Sequence, residues 1–402
     1  MKNLFTLPPA RLTALVLLTC SACIHAQGVW SPKAAFIGTA RYYASGFSIG
    51  TKAYIAAGNT ALDFWEWDQT ADTWTQKANF AGAARSLAVG FSIGAKGYVG
   101  AGVSSSSVYK NDFWEWDSST NIWTQIASYP GSGRRGAIGF SIGTKGYVGT
   151  GDNGSTSFKD FWEWNQSTNI WTQKANVGTN NRWQGVGFSI GTKGYIGTGW
   201  NSTALYNDFL EYNPSADTWT QKTNFPGVPR ASAAGFSIGT KGYIGTGYDG
   251  TPNYKQDFWE WNQTANSWMQ IANYSGGGRI GLVGFSIGSK GYAGTGFNAG
   301  AKNDFWEFAD TTSATAVSEI DFENSVLVYP NPSADGKFTI SFPQPGLSSI
   351  DVCDISGKYI FHKTSNHQQE IINLNISGGV YFLKINSEGK EAAKKIIINT
   401  NE

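Results

Sequence analysis

The stretch KDFWEWNQSTNIWTQKAN, residues 159–176, places three tryptophans within 18 positions, and its core recurs along the chain. The motif DFWEW occurs at 63–67, 112–116, 160–164 and 257–261, with the variants DFLEY at 208–212 and DFWEF at 304–308. A second motif, GFSIG, begins at Gly46, Gly90, Gly139, Gly187, Gly235 and Gly284, so its six copies lie 44–49 residues apart. This period indicates six structural repeats that together occupy residues 27–309.

Each repeat has the pattern of four short strands. GFSIG predicts an inner strand a, and GYIGTG, after a GTK turn, predicts strand b. DFWEW predicts strand c, and IWTQ, after a short polar turn, predicts strand d. Short segments rich in β-branched and aromatic residues, bounded by Gly, Asn and Ser, are typical of antiparallel strands. Four strands in a repeat of this length predict the blade of a β-propeller, and therefore an all-β fold.

The two ends of the repeat region indicate how the ring closes. The sixth repeat stops at Phe308 and lacks a strand d. The sequence WSPKAAF at 30–36 matches WTQKANF at 74–80, which contains strand d of the first repeat. We therefore expect the N-terminal strand to complete blade six, which closes a ring of six four-stranded blades and removes its free sheet edges.

The repeats resemble the kelch repeat. Six residues separate the last aromatic residue of strand c from the tryptophan of strand d, as between Trp164 and Trp171. Strand b ends in glycines, and an arginine precedes strand a. Where kelch repeats carry Gly-Gly, this chain has Gly-Thr-Gly or Gly-Ala-Gly, as at Gly149–Gly151. The resemblance implies a six-bladed kelch-like propeller and leaves the ligand open, because one fold can serve many functions.

The composition changes after the repeats. Residues 310–324 are polar and aperiodic, which predicts a linker, and 325–402 alternate like the strands of a small β-sandwich. The order YPNP, DISGK, GGVYFLKI and KKIIIN in this second segment resembles the type A sorting domain of the type IX secretion system. That resemblance implies handling by the type IX secretion machinery of Bacteroidota and location outside the cell or on the outer-membrane surface. An accessory immunoglobulin-like domain is the alternative.

The N-terminus predicts a secretory signal peptide at 1–26. Basic residues precede the short apolar segment LTALVLL at 12–18, and Ala26 marks the expected cleavage point. Lipidation of Cys23 is left open. No later segment is apolar and long enough to span a bilayer, so no transmembrane segment is expected in the mature chain.

The composition excludes several classes of function. The net charge of +1 offers no basic stripe for nucleic acid. Residues 27–309 contain no His and no Cys, which excludes Ser-His-Asp or Cys-His catalysis and nitrogen or sulfur ligands for zinc or copper there. We therefore predict no catalytic residue, no metal and no cofactor. Carboxylates that recur in every repeat, such as Asp63 and Glu66, are interpreted as structural.

An arginine lies five residues before each GFSIG motif: Arg41, Arg85, Arg134, Arg182, Arg230 and Arg279. Since each precedes an innermost strand, we expect all six to surround the mouth of the central channel on the face that carries the b–c and d–a loops. One hypothesis is a funnel that binds an anion or a carboxylate. The alternative is that each arginine pairs with a carboxylate of its blade, such as Asp63 or Glu66, and joins adjacent sheets.

Two tryptophans do not repeat. Of the 17 in the chain, fifteen occupy strand c or strand d positions, where we expect them to pack between blades. Trp183 follows Arg182, and Trp200 opens the b–c loop of the same blade, with Asn180 and Asn181 close by. Exposed aromatic rings beside amides suit a sugar, which has an apolar face and hydroxyl groups. The alternative is that the two rings cover a junction between loops.

Together these patterns predict a secreted or cell-surface protein that binds a carbohydrate or a partner protein without catalysis. The candidate ligand-binding residues are Trp183, Trp200, Asn180, Asn181, Arg182, Arg41, Arg85, Arg134, Arg230 and Arg279. One alternative is an enzyme that acts on sugars, such as a sialic-acid mutarotase-like propeller with an arginine for the carboxylate and a Glu or Asp for proton transfer. Another is a purely structural scaffold.

Overall fold

The computed structural model of the protein describes residues 28–311, 325–342, 346–387 and 390–399. The expected signal peptide, with Cys23, and residues 312–324 of the expected linker lie outside the described residues. In the part of the chain that is described, no helix is long and apolar enough to cross a membrane.

Residues 28–311 form 24 strands in six antiparallel sheets of four. The N-terminal strand and blades one to three contain β1 (Val29–Lys33); β2 (Ser45–Ile49), β3 (Lys52–Ala56), β4 (Phe64–Asp68), β5 (Thr73–Lys77); β6 (Val89–Ile93), β7 (Lys96–Gly100), β8 (Phe113–Asp117), β9 (Ile122–Ile126); β10 (Ile138–Ile142), β11 (Lys145–Gly149), β12 (Phe161–Asn165), β13 (Ile170–Lys174). Blades four to six continue with β14 (Val186–Ile190), β15 (Lys193–Gly197), β16 (Phe209–Asn213), β17 (Thr218–Gln221); β18 (Ala234–Ile238), β19 (Lys241–Gly245), β20 (Phe258–Asn262), β21 (Ser267–Ile271); β22 (Val283–Ile287), β23 (Lys290–Gly294), β24 (Phe305–Ala309). The all-β, six-bladed prediction is confirmed.

The N-terminal strand closes the ring, as the sequence predicts. β1 pairs antiparallel with β24, with Trp30 opposite Phe308, so the order of the sixth sheet is β1-β24-β23-β22. The Trp30 ring also lies 5.1 Å from Phe258 and 5.0 Å from Tyr274, both of blade five. The strand that completes blade six therefore also packs blade six against blade five.

Aromatic side chains of strand c pack each blade against the preceding one. Trp116 of blade two is fully buried, and its ring centre lies 4.9 Å from those of Tyr54 and Phe64 in blade one. Trp67 of blade one makes the equivalent contacts, at 5.0 Å, with Tyr292 and Phe305 of blade six. Such tilted and edge-to-face pairs each contribute about 0.5–1.5 kcal/mol beyond the burial of their area. The repeated tryptophans are therefore packing residues, as expected.

Antiparallel order places the b–c and d–a loops on one face of the ring, here called the loop face. Isolated backbone bridges join the two loops within a blade, as between Ser86 and Val103 in blade two and between Ala231 and Tyr248 in blade five. The loop face is thus a set of short, hydrogen-bonded segments rather than long unsupported loops.

The C-terminal segment forms two sheets. Its strands are β25 (Leu327–Tyr329), β26 (Lys337–Ser341), β27 (Ser348–Cys353), β28 (Tyr359–Ser365), β29 (Gln369–Asn373), β30 (Gly379–Ser387) and β31 (Lys390–Ile398). The sheet orders are β25-β26-β29 and β28-β27-β30-β31. Side chains from both sheets, among them Phe338, Ile350 and Leu383, share one buried core, so this segment is the expected small β-sandwich.

Candidate functional site

The mouth of the central channel on the loop face is formed by six residues, each two positions after a repeated arginine. We call them the mouth ring: Tyr43, Leu87, Gly136, Gln184, Ser232 and Gly281. All six have a positive φ, between +52° and +64°. The backbone N–H of each donates to the carbonyl oxygen of the ring residue in the preceding blade, at 2.8–3.1 Å. These six hydrogen bonds form a closed circle around the channel axis.

The side chains of the mouth ring break the sixfold symmetry. They surround a recess of about 120 Å³, whose lining contains no charged side chain. The Tyr43 ring lies over Gly281, where a Cβ atom would be 2.6 Å from it. The Tyr43 hydroxyl is 3.5 Å from that of Ser232, and Gln184 lines the same recess. Burial raises the pKa of Tyr43, so its hydroxyl stays protonated at neutral pH.

The six repeated arginines do not line this mouth. Their exposed fractions are only 0–2%: Arg41, Arg85, Arg134, Arg182, Arg230 and Arg279. Each forms an ion pair with the aspartate that begins the DFWEW-type motif of the same blade: Asp63, Asp112, Asp160, Asp208, Asp257 and Asp304. Each also donates to the backbone carbonyl that follows strand b, as Arg230 does to Thr246 at 2.9 Å.

The anion-funnel hypothesis for these six arginines is therefore wrong, because their charges are buried and neutralised. The alternative of pairing with Asp63 and its equivalents is what the structure shows, although each pair joins two loops of one blade rather than adjacent sheets. Glu66 instead accepts hydrogen bonds from Lys52 at 2.6 Å and Tyr54 at 2.8 Å.

Four of these aspartates are stabilised as carboxylates. Burial raises the pKa of Asp112, but hydrogen bonds from Arg85 and Trp114 outweigh this and lower it overall. The same balance lowers the pKa values of Asp63, Asp257 and Asp304. The recurring aspartates are thus part of the framework, as the sequence indicated for repeated carboxylates.

Trp183 and Trp200 lie together, and they differ in exposure. The backbone N–H of each donates to the carbonyl of the other, at 2.8 and 3.0 Å. Their rings are stacked, with centres 5.5 Å apart and planes at 23°. Trp183 is buried, with 8% of its surface exposed, whereas Trp200 is half-buried. The expectation of two exposed rings is therefore wrong for Trp183, and Trp200 is only partly exposed.

Trp183 is covered because Arg135 of blade three lies against it. The Arg135 guanidinium is 4.6 Å from the Trp183 ring centre and 5.7 Å from that of Tyr109 in blade two. Asp152 holds the same guanidinium at 3.3 Å. Tyr109, Arg135, Trp183 and Trp200 thus form a continuous stack across three blades, which we call the aromatic ladder.

Blade four, which carries the outer end of this ladder, departs from the repeat in its packing. Five blades place an aromatic residue after strand d, and the repeated arginine stacks on it, as Arg230 does on Phe225. After strand d of blade three the equivalent residue is Val177, and Arg182, in the loop that leads into blade four, stacks on Tyr206 instead. Asn180 is half-buried and Asn181 is exposed in the same d–a loop.

Sequence reasoning did not select Arg135, Tyr109 or the polar residues of the mouth ring. The signal was present in the repeat alignment, because the first and second positions after each repeated arginine vary, whereas the arginine itself and the first Gly of GFSIG do not. Further half-buried aromatic residues lie on the loop face in blades five, six and one: Tyr248, Tyr254, Phe297 and Tyr42. Among the described residues, no group of three or more His, Cys, Asp or Glu is placed to hold a metal ion.

Comparison with known proteins identifies the tail and the fold. Residues 327–399 match the family of secretion system C-terminal sorting domains. The chain is similar to the solved structure of YjhT, with a TM-score of 0.59 and 17% identity over 68% of this chain and 95% of that chain. At this identity the similarity shows the fold alone. No curated protein matches the sequence.

These findings confirm the resemblances to a kelch-like propeller and to a type IX sorting domain. Sorting domains of this family mark proteins that the type IX secretion system exports to the cell surface or the extracellular space. The protein is therefore a secreted or cell-surface protein.

Proposed function

We propose that this exported kelch-like propeller is a carbohydrate-binding protein without catalytic activity, whose ligand lies on the loop face at blade four. The observation that carries the proposal is the half-buried Trp200 ring, which is stacked on a buried tryptophan. Sugar rings bind on aromatic faces because their C–H groups form an apolar surface, while neighbouring polar groups bind their hydroxyls. Asn180 and Asn181 supply amides in the same blade.

The aromatic ladder supports this role because it holds Trp200 in place. Trp200 is bound to Trp183 through two backbone hydrogen bonds as well as through ring stacking. Trp183 is in turn held by Arg135, which is anchored by Asp152. A binding ring that is already ordered loses little conformational entropy when a ligand arrives. Trp183 and Arg135 therefore act as positioning residues, and Trp200 makes the contact.

In this proposal each segment of the chain has a separate role. Residues 27–309 form the binding module, and 1–26 direct the chain into the secretory pathway. Residues 325–402 form the sorting domain that the type IX machinery recognises, and residues 310–324 connect this domain to the propeller. Removal of this tail, with attachment of the propeller to the cell surface, completes the expected maturation.

A partner protein is the second candidate ligand, since the loop face is rich in the residue types that dominate protein interfaces. Tyr, Trp and Arg are enriched among interface residues that contribute most to binding. The alternative of an enzyme that acts on sugars needs an arginine for a substrate carboxylate, and the pairing of each repeated arginine with an aspartate favours binding over that alternative.

A glycan array probed with the exported chain tests the proposal. We expect binding to a defined class of sugars that Trp200→Ala abolishes, with its thermal unfolding temperature close to that of the parent. Val103→Ala, at the same loop position of blade two, is the matched control and should bind normally. Full binding by Trp200→Ala contradicts the site. A blank array from folded protein excludes the carbohydrate and leaves the partner protein, which a cell-surface pull-down would then identify.

A further inference from the structure

The mouth ring lies next to the aromatic ladder. Gly136 of the ring has no side chain, and a Cβ atom there would be 3.1 Å from both the Trp183 ring and the Gln184 side chain. Gln184 directly follows Trp183 in the sequence. The recess at the channel mouth therefore borders, at Gly136, the Trp183 ring on which Trp200 is stacked. The recess and the Trp200 ring lie on the same face of the propeller.

The backbone of the mouth ring cannot bind an anion. Anion sites in loops use free backbone N–H groups that converge on the ligand. At this mouth, all six N–H groups already donate to carbonyl oxygens of the preceding blade, at 2.8–3.1 Å. An anion could bind only if this closed circle of hydrogen bonds opened, which would also break contacts between blades.

The nearest cationic groups are also engaged. The repeated arginines are buried, and each one is paired with an aspartate, as Arg182 is with Asp208 through hydrogen bonds of 2.6 and 2.5 Å. Arg135 is paired with Asp152 and stacked on Trp183. Because the lining of the recess has no charged side chain, nothing there would compensate a carboxylate for the loss of its water.

What the recess does offer is a set of neutral polar groups. The Tyr43 hydroxyl, the Gln184 amide and the Ser232 hydroxyl meet there from three different blades. The contact between the two hydroxyls is long, at 3.5 Å, so both retain capacity for a further hydrogen bond. At about 120 Å³ the recess is smaller than the roughly 300–1,000 Å³ of a pocket that encloses a whole ligand, so it suits one edge of a sugar ring.

We propose that the channel mouth is a subsite for the uncharged, hydroxyl-bearing edge of the sugar, recognised by Tyr43, Gln184 and Ser232, so that the ligand is a neutral rather than an acidic carbohydrate. This inference rests on the proposed carbohydrate-binding function. It assigns Trp200 to the apolar face of the sugar and the mouth to its hydroxyls.

Matched sugar pairs test the inference. The exported chain is titrated calorimetrically with oligosaccharides that differ only at C6, namely galactosides against galacturonides, glucosides against glucuronides and mannosides against mannuronides. We expect the neutral member of the bound pair to bind at least tenfold more tightly. Gln184→Leu and Ser232→Ala should each weaken that binding by roughly three- to tenfold, the effect of one hydrogen bond. Tyr43→Phe, which keeps the ring over Gly281, should act similarly.

The outcomes separate this inference from the proposed function. Tighter binding of the acidic member overturns the inference, whether or not Trp200→Ala abolishes that binding. Binding that Trp200→Ala abolishes, but that all three mouth variants leave unchanged, also overturns it and leaves the proposed function intact. If no pair is bound by folded protein, both are overturned. Val103→Ala, on the loop face but outside the lining of the recess, is the control and should leave the binding of both members of each pair unchanged.

Discussion

Arg85 and Asp112 are joined by two parallel hydrogen bonds of 2.7 Å, with the arginine fully buried. The same two-bond geometry is present in four other blades, whereas Arg41 donates to Asp63 through one nitrogen. In all six blades the pair joins the segment before strand a to the start of strand c. Without the aspartates, the six buried guanidinium groups would have no carboxylate partner. The geometry and burial of the pair predict a structural role with a measurable cost.

Arg85→Met should destabilise the propeller by about 3–5 kcal/mol, because the Asp112 carboxylate and the Ala101 carbonyl lose their buried donor. Urea unfolding followed by tryptophan fluorescence measures the change. Lys96→Met in the same blade is the control. It removes a more exposed ion pair with Glu115, and it should cost at most about 1 kcal/mol. Equal effects of the two variants would contradict the structural role of Arg85.

Stability should fall as the pH is lowered through the acidic range. The pKa values of Asp63, Asp112, Asp257 and Asp304 are lower in the folded state than in an unfolded chain, where Asp titrates near about 3.9. Their stabilisation is therefore complete above about pH 4 and is lost as the pH falls through the folded-state values. Urea midpoints between pH 6 and pH 3 measure this loss. Asp112→Asn should flatten the acidic part of the curve, and an unchanged profile would count against the assignment.

The three tryptophans of blades three and four should respond differently to truncation. Trp164→Ala removes a buried packing ring and should cost about 3–5 kcal/mol. Trp183→Ala should also destabilise, because Arg135 would lose its stacking partner. Trp200→Ala should cost less than either, since its ring is partly in water. Chemical denaturation of the three variants measures the loss of unfolding free energy in each. An equal loss in all three would contradict the assignment of Trp200 as a binding ring and of Trp164 and Trp183 as structural residues.

Ring closure should depend on Trp30. Its ring packs on Phe258 and Tyr274, and its indole N–H donates to the Ala272 carbonyl at 3.2 Å. Trp30→Ala should cost about 3 kcal/mol or more, and limited proteolysis should then cleave near β1 first. Val29→Ala, at an exposed position of the same strand, is the control and should resist proteolysis as the parent does. Unaltered resistance of the Trp30 variant would show that closure does not depend on this ring.

The framework could be predicted because its contacts repeat. Trp116 meets Tyr54 and Phe64 in the same way that Trp67 meets Tyr292 and Phe305, so one spacing rule describes every blade junction. The missing strand d of the sixth repeat and the matching N-terminal segment were enough to predict how β1 pairs. The alternation of residue types within each strand and the regular spacing of the repeats were sufficient for these predictions, because neither depends on contacts between distant parts of the chain.

The arrangement of side chains on the loop face was less predictable from the sequence. The position of Trp183 and Trp200 in one blade was predictable from the repeat alignment, and their backbone bridge follows from it. The burial of Trp183 was not, because it depends on Arg135 from the preceding blade and on the stacking of Trp200. The partner of each repeated arginine was also not predictable, because Asp63 and Glu66 are both carboxylates close together in the sequence of the same blade.

The sequence by itself determined the number of blades, their strand order, the closing strand and the sorting tail, because each follows from a pattern within or between neighbouring repeats. Only the tertiary structure decided which charges are neutralised and which rings meet solvent. It also brought Tyr43, Gln184 and Ser232 together, although Tyr43 and Ser232 are 189 residues apart in the chain. Closing the ring brings nonadjacent blades to one axis, and side chains that do not repeat acquire their partners only there.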